Sequence, residues 1–501
     1  MSITDTAAVK SASKKTTDFI SAQHKLIIGA TEAASASGET FETFDPALGK
    51  VLASVPHAKQ ADVDAAVAAA QAAQAVWQKI APSERAALLM RFADLIERDT
   101  DWISEVESLD SGKPKLHIAA VDIPLAVGAL RYNAGWCTKL AGETIPVNAP
   151  DMHVYTRREP IGVVAAIVPW NFPLCQACFK IAPALAAGCT VILKPAEQTP
   201  LSALILGRLA LEAGIPPGVL NVLTGEGATT GQALVEHPGI AKISFTGSEE
   251  VGKHIARSAA STLKHVSLEL GGKNPNIIFA DCDVDAAASV AAGAIFFYSG
   301  QVCSAGSRLM VDAAVYDRVV DRVVSEAKQL KLGHGLNTDT SMGPLISEAQ
   351  LARVNGFVED SRKSGIEVAI GGARGKGDLA SGSFYEPTVL CGADDNASVV
   401  KEEIFGPVLT IQKFNSLEDL VPRANNSSFG LAAGIWTRDI SKAHAAAAAI
   451  QAGTVWINTY NQFDAAVGWG GFKQSGYGKD NGREGLDKYL QTKTVWVNYG
   501  S

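Results

Sequence analysis

Cys303 lies in Gly300-Gln301-Val302-Cys303-Ser304-Ala305-Gly306, a run of small residues that leaves its sulfur approachable and its backbone N–H available. A thiol so placed is a candidate nucleophile; the ordinary alternative is that an isolated cysteine is a small, inert, buried hydrophobe. Glu269 ends an apolar run immediately before Gly271-Gly272. A carboxylate on a nearly buried strand is costly unless paired or used, so Glu269 is either half of an ion pair or a working acid–base group. Two glycine-bearing turns could cradle phosphate. Gly225, Gly227 and Gly231 approximate a dinucleotide-binding loop, but the last gap is one residue too long, and a plain tight turn explains them equally well. Phe245-Thr246-Gly247-Ser248, leading to Gly252, puts small residues between an apolar run and a helical pattern, where backbone N–H groups could meet a phosphate.

Other clusters point to structure instead of chemistry. Cys175 and Cys178 form C-x-x-C, but inside a helical pattern and without a second cysteine pair or a histidine cluster, so neither a metal nor a redox role is expected. Asp281, Asp283 and Asp285 begin like a calcium loop, yet Ala286 stands where its turn needs glycine and Ala292 where its glutamate belongs; helix capping accounts for them better. The nine histidines show no H-E-x-x-H spacing and none adjoins Cys303, so no metal site is expected and a histidine-assisted cysteine hydrolase lacks support.

Positioning these groups takes more than one core, because 501 residues exceed the usual size of a single one. Apolar residues make up 47% and charged residues 19%, an ordinary globular balance. The net charge is −8 with lysines and arginines scattered, which recommends neither nucleic acid nor an anionic membrane as partner. The nearest approach to a spanning helix, Ile181 to Leu193, is interrupted by Pro183 and Gly188, and no signal-peptide block opens the chain. Seven cysteines, an odd number without repeated spacing, fit a reducing, cytoplasmic setting. Residues 1 to 20 read as a flexible N-terminus.

Helical spacing of Val63, Val67, Ala70 and Trp77, then of Leu88, Phe92 and Ile96, makes the N-terminal third mainly helical. From residue 162 the texture changes to short apolar runs: Val163 to Val168, Thr190 to Leu193, Val219 to Leu223, Ile240 to Phe245 and Val266 to Leu270. Helical stretches beginning near Ala177, Pro200, Thr229 and Glu249 separate them, so the expectation is α/β, a doubly wound parallel sheet with a ligand site at its strands' carboxyl ends. A second α/β block runs from Ile277 to Val408, and Thr492 to Asn498 alternates like a terminal strand.

The ordered set Pro169-Trp170-Asn171-Phe172-Pro173, Lys194-Pro195-Ala196-Glu197, Glu269-Leu270-Gly271-Gly272-Lys273 and Gly300-Gln301-Val302-Cys303 closely resembles the aldehyde dehydrogenase superfamily. Glu402 to Val408 and Gly470 to Gly476 extend the resemblance over nearly everything from about residue 25 onward. It implies an NAD-binding domain of residues 21–143 and 163–270, a catalytic domain of 271–481, and a small β bridging domain of 144–162 and 482–501 that joins subunits into a homodimer or homotetramer.

By the same resemblance Cys303 is the nucleophile, Asn171 an oxyanion donor and Glu269 the base that activates water. Lys194 and Glu197 meet the adenosine ribose, Ser248 the pyrophosphate and Glu403 the nicotinamide ribose, with Trp170, Gly227, Gly247 and Phe405 around the same cofactor. Glu197 favours NAD, since a carboxylate accepts from ribose hydroxyls and repels a 2′-phosphate; NADP stays open if Lys194 reaches that phosphate. Lys180 matches a lysine that faces a glutamate in the family, and Asp480 stands in the glutamate's place. The shorter side chain weighs against a directly shared proton path, which a bridging water would restore.

The implied reaction oxidises an aldehyde to a carboxylic acid through a cysteine thiohemiacetal and a thioester. Gln176, Phe179, Phe297, Phe463 and Trp469 line the implied substrate channel, whose aromatic walls suit aromatic or aryl-aliphatic aldehydes. The rivals are betaine-type or aliphatic aldehydes, release of the thioester to CoA, and a non-catalytic NAD-binding protein on the same fold. Gly468-Trp469 replaces the Pro-Phe often found before Gly470-Gly471, which alters the expected pocket rim.

Overall fold

The computed structural model describes residues 12 to 500. Its first large sheet is built on apolar runs: β1 (Val163–Ile167), β2 (Thr190–Lys194), β3 (Leu220–Val222), β4 (Lys242–Thr246) and β5 (His265–Glu269). Every residue of β1 to β4 is buried, as parallel strands covered on both faces should be. The five pair in parallel in the order β3-β2-β1-β4-β5. Helices α1 (Pro173–Ala187), α2 (Leu201–Glu212) and α3 (Glu249–Ala259) make the crossovers after β1, β2 and β4. The strand order reverses between β1 and β4, and the crevice beyond their carboxyl ends is where such sheets take ligands. Antiparallel strands complete the eight: Leu26–Ile28 and Thr31–Ala33 beyond β3, and Gly476–Tyr477 beyond β5.

Local sequence explains the helices that matter. Pro173 starts α1, where a missing N–H costs nothing, and Gly188 ends it at φ +93°, a left-handed position that other residues avoid. Ser248 caps α3 by accepting from the Val251 N–H, and Glu249 and Glu250 complement the positive end of the helix dipole.

The second large sheet holds β6 (Pro275–Ile278), β7 (Arg308–Asp312), β8 (Glu367–Ile370), β9 (Thr388–Cys391), β10 (Val408–Phe414), β11 (Ala432–Trp436) and β12 (Thr454–Ile457). Its order is β8-β9-β10-β7-β6-β11-β12, parallel except at β8. Asp283 caps the helix Val284–Phe296, accepting from the Ala286 N–H, so this acidic run shapes a helix start. A three-stranded antiparallel sheet joins Thr144–Ile145, Met152–Pro160 and Leu490–Asn498, and Trp496, Val497 and Tyr499 are exposed at its C-terminal end.

Two expectations change. Residues 14 to 20, expected to be flexible, lie in the helix Lys14–Ser21, which Ser13 caps and whose Phe19 and Ile20 are buried. The rest of that segment, residues 1 to 11, lies outside the described residues. The N-terminal third is helical from Gln60 onward, but four short strands between Leu26 and Pro56 precede it. Two of them have only three residues each, too few for alternation to register in the sequence. Among the described residues no helix is long and apolar enough to cross a membrane.

Candidate active site

One cavity of about 710 Å³ collects groups from both large sheets. The carboxyl end of β1 delivers Trp170 and Asn171, β4 delivers Gly247 and Ser248, and β5 ends at Glu269. From the other sheet come Cys303, on the loop before β7, and Glu403 and Phe405, on the turn before β10. Gln176, on the first turns of α1, completes the wall and meets the Thr246 hydroxyl at 3.4 Å.

The two loops of the second sheet are strained and interlocked. Tyr298, Ser299 and Gly300 all have positive φ (48°, 55° and 70°), and so does Phe405 at 58°. A Cβ on Gly300 would lie 2.0 Å from the Gly406 carbonyl oxygen, so only glycine lets the cysteine loop touch the Glu403 turn. Gln350 Nε2 holds that turn by donating to the carbonyls of Phe405 (2.8 Å) and Ile404 (3.2 Å), and the Trp170 and Phe405 rings meet edge to face at 5.2 Å. Asn171 Nδ2 donates to the Gln301 carbonyl at 2.9 Å, which fixes the amide and leaves its second N–H for another acceptor. Asn274 Nδ2 holds the Cys303 carbonyl at 2.8 Å. Beneath Phe172, the buried Lys113 ammonium packs 3.6 Å from the Phe172 ring centroid and 4.3 Å from that of Tyr298, and pairs with Asp122.

Electrostatics set the resting states. Burial, reinforced by Glu403 and Glu269, pushes the Cys303 thiol up to about 12. Neither Glu269 oxygen has a hydrogen-bond partner among the described residues, and burial together with Asp480 raises this carboxyl well above the usual range. Glu403 is raised to about 7, mainly by burial, although it accepts from the Gly272 N–H at 2.9 Å. At neutral pH Cys303 and Glu269 therefore rest largely protonated, and Glu403 is divided about evenly between its two forms.

Behind Glu269, Lys180 Nζ lies 2.9 Å from Asp480 Oδ2, with both side chains 1% exposed. This corrects the expected gap. The Asp480 and Trp469 backbones pair in both directions at 2.7 Å, which brings Asp480 close enough for a short side chain to reach. Further out, Lys194 is buried and donates to the Pro195 carbonyl (2.9 Å) and to Glu197 (3.5 Å). Gly227 opens a one-turn π-helix ending at Gly231, whose added Cβ would lie 3.7 Å from Lys194 Cδ.

The aldehyde dehydrogenase family model matches residues 33–495. The chain belongs to the aldehyde dehydrogenase family. Human retinal dehydrogenase 2 is 48% identical over 467 residues, 92% of this chain and 89% of its own length. An NAD+ complex of aldehyde dehydrogenase from Bacillus cereus superposes with a TM-score of 0.95 at 46% identity, covering 97% of this chain and 99% of that one. An indole-3-acetaldehyde dehydrogenase complexed with NAD+ gives 0.93 at 41% identity, covering 95% and 97%. Membership makes this chain an oxidoreductase acting on aldehydes, and the α/β architecture agrees with these relatives.

Set against the aldehyde dehydrogenase motifs, the predicted residues divide into groups. Asn171, Glu269 and Cys303 share the cavity with Trp170, Gln176, Gly247, Ser248, Glu403 and Phe405. Lys194, Glu197 and Gly227 do not line it, and neither does Lys180. Phe179 is buried in the core under the first sheet, away from the cavity. Phe297 and Phe463 pack, with Cys303, against an apolar cluster containing Trp469. The sequence reading missed Trp456 and Tyr460 in that cluster, as well as Gln350, Lys113 and Lys488. Tryptophan and tyrosine so near the motif Gly470 to Gly476 were the available signal for the first two.

Proposed function

We propose that this aldehyde dehydrogenase oxidises an aromatic or aryl-aliphatic aldehyde to its carboxylic acid, with NAD, through a thioester on Cys303. The observation that carries the mechanism is the convergence of Cys303, Asn171 and Glu269 on one cavity. Once the Cys303 thiol has lost its proton to water, attack by the thiolate sulfur makes the planar carbonyl tetrahedral and places negative charge on its oxygen. The free Asn171 N–H faces that charge already oriented, a contact worth roughly 3 to 4 kcal/mol in other enzymes. NAD, when bound, supplies the acceptor for the hydride that the tetrahedral carbon expels. Glu269 then takes a proton from the water that attacks the thioester, which favours hydrolysis over release to CoA.

The cofactor reading rests on the residues present. Gly247 and Ser248 sit at the N-terminus of α3, within reach of a pyrophosphate, and an added Cβ at Gly247 would press 2.4 Å from the Phe245 ring. Lys194 and Glu197 would hold the adenosine ribose, and Glu403 the nicotinamide ribose. Lys194 is already engaged by Pro195 and Glu197, so it is poorly placed to receive a 2′-phosphate, which favours NAD over NADP.

The substrate reading rests on an aromatic cluster that packs with Cys303, although Phe297, Phe463 and Trp469 do not themselves line the cavity. The Phe463 and Trp469 rings meet at 4.8 Å, and Trp456 stacks on Trp469 at 6.1 Å. Phe297, half-buried, packs 5.0 Å from His117. The relative described as an indole-3-acetaldehyde dehydrogenase supports an aryl-aliphatic choice. Stacked tryptophans can equally face a quaternary ammonium, which makes betaine aldehyde the second reading. We divide the chain as its sheets suggest, with 21–143 and 163–270 binding NAD, 271–481 catalytic, and 144–162 with 482–501 bridging subunits of a homodimer or homotetramer through the exposed strand Leu490–Asn498. Seven unpaired cysteines favour a cytoplasmic setting.

NADH formation with phenylacetaldehyde, benzaldehyde, hexanal and betaine aldehyde tests the whole reading. Activity on the aryl substrates that vanishes in Cys303→Ala supports it. Unchanged Cys303→Ala activity refutes the thiol mechanism, and a preference for betaine aldehyde or hexanal refutes the substrate class.

A further inference from the structure

Asp480 is held by two lysines, not one. Lys180, from α1, lies 2.9 Å from Oδ2, and Lys488, from the turn that ends the helix Gly482–Asp487, pairs with Oδ1. Lys180 and Asp480 are 1% exposed, whereas Lys488 is 11% exposed and alone of the three reaches solvent. We propose that Lys488 is a positioning residue that turns the Lys180–Asp480 pair into a proton carrier for Glu269 and forms its outlet to solvent. This rests on the reading of Glu269 as the base of the hydrolytic step.

The argument is one of charge count. A buried Lys180–Asp480 pair alone is neutral, and removing the lysine's proton would strand a bare carboxylate, so the proton would be locked in place. With Lys488 present the trio carries one surplus positive charge. Lys180 can then lose its proton and leave a neutral Lys488–Asp480 pair behind. The surroundings push the same way. Lys242 of β4 packs on one side, its ammonium 5.4 Å from the Tyr489 ring centroid, and Lys488 lies 5.4 Å from the same ring. Tyr489 donates to Ser244 Oγ and carries no charge. Lys479 is the remaining cation near Glu269. Burial lowers Lys180, while at Lys488 burial is exceeded only by several influences together, the charge of Asp480 and its hydrogen bond among them, and the group is raised, so Lys180 is the member poised to titrate.

The protons balance without any co-reactant. Glu269, protonated at rest, first sheds its proton to solvent along this same path; the attacking water then gives one proton to the Glu269 carboxylate as its oxygen bonds to the thioester carbon and the C–S bond breaks. Glu269 passes that proton to the neutral Lys180 amine through water, since no hydrogen bond joins the two directly. Lys488 releases its proton to solvent as the resulting Lys180 ammonium hands one to Asp480 and Asp480 passes one to the Lys488 amine so freed.

The test separates hydride transfer, read as the NADH burst, from hydrolysis of the acyl-enzyme, each measured across pH. Lys488→Met should keep the burst but slow hydrolysis about tenfold at neutral pH, with the alkaline limb moved up by about one unit, as the loss of a nearby charge requires. Lys488→Arg, which keeps the charge but does not release a proton, should restore the position of the alkaline limb while hydrolysis stays slow. A Lys488→Met enzyme with the wild-type profile overturns the proposal. Should it fold poorly, Lys488→Gln keeps a hydrogen bond to Asp480 without the charge, and wild-type hydrolysis there overturns it equally. Glu269→Gln is the separate control: a burst without turnover supports the base reading, and normal turnover shows that this reading, beneath the Lys488 proposal, has failed.

Discussion

Gly300→Ala puts the seam between the cysteine loop and the Glu403 turn under direct load. Gly300 sits at φ +70°, where an alanine pays about 1–2 kcal/mol for the left-handed backbone. Its Cβ would also lie 2.0 Å from the Gly406 carbonyl oxygen, and real Cβ contacts essentially never fall below 3.0 Å. The difference, 3.0 − 2.0, forces one backbone to move by at least 1.0 Å. Neither has an easy escape, because Gln350 ties the following turn and Asn171 ties the Gln301 carbonyl. Overpacking of this kind adds about 1–3 kcal/mol, so the variant should lose roughly 2–5 kcal/mol in denaturant unfolding. A shift of this size between nucleophile and oxyanion donor should lower kcat about a hundredfold, with the burst slowed as well. Unfolding together with single-turnover NADH kinetics reads both effects. A wild-type midpoint with kcat within about threefold of wild type would show that the seam does not position the thiol, and the argument from strain would fall.

Four further outcomes follow from the site. Asn171→Ala should lower kcat about 10²- to 10³-fold with KM little changed, read by steady-state kinetics; a change confined to KM would remove Asn171 from the oxyanion. Glu197→Gln frees Lys194 and removes the charge that repels a 2′-phosphate, so kcat/KM with NADP should rise relative to NAD, and an unmoved ratio would contradict the cofactor reading. Because Cys303 is raised to about 12, its thiolate fraction in the cofactor-free enzyme should grow tenfold per pH unit. Iodoacetamide inactivation should therefore rise through pH 9 without a plateau, and a plateau below that pH would refute the buried-thiol picture. Trp469→Ala should cost phenylacetaldehyde more than hexanal in kcat/KM, whereas an equal loss would assign Trp469 to packing alone.

Much of this was legible in the chain because its chemistry is local. Gly247-Ser248 between an apolar run and a helical pattern marked the β4-to-α3 turn, and Glu269 could be placed at a strand end from its neighbours alone. What stayed hidden depends on contacts between distant segments. Nothing in the run around Gly300 reveals that Gly406 touches it, and Lys488 is an ordinary lysine until Asp480 is seen beside it. The Asp480 expectation failed for the same reason. Side-chain length suggested a gap, but the backbone bridge to Trp469 sets where Asp480 starts, and that register cannot be read from residue types. Phe179 looked like a wall residue by position in a motif, yet the helix face it occupies turns into the core.

The division of the site between two sheets explains where the strain sits. Asn171, Ser248 and Glu269 ride on strand ends and helix starts of the first sheet, held by regular hydrogen bonding. Cys303 and Glu403 come from irregular loops of the second, which lack that support and are instead fixed by left-handed residues, the Gly300 contact and side-chain ties from Gln350 and Asn274. On the proposed mechanism a nucleophile from one sheet must meet an oxyanion donor and a base from the other within a fraction of an ångström, so the two cannot drift independently. The hydrogen bond from Asn171 to the Gln301 carbonyl spans that divide. It makes the oxyanion amide also a clamp on the cysteine loop, which is why its loss should fall on turnover before it falls on binding.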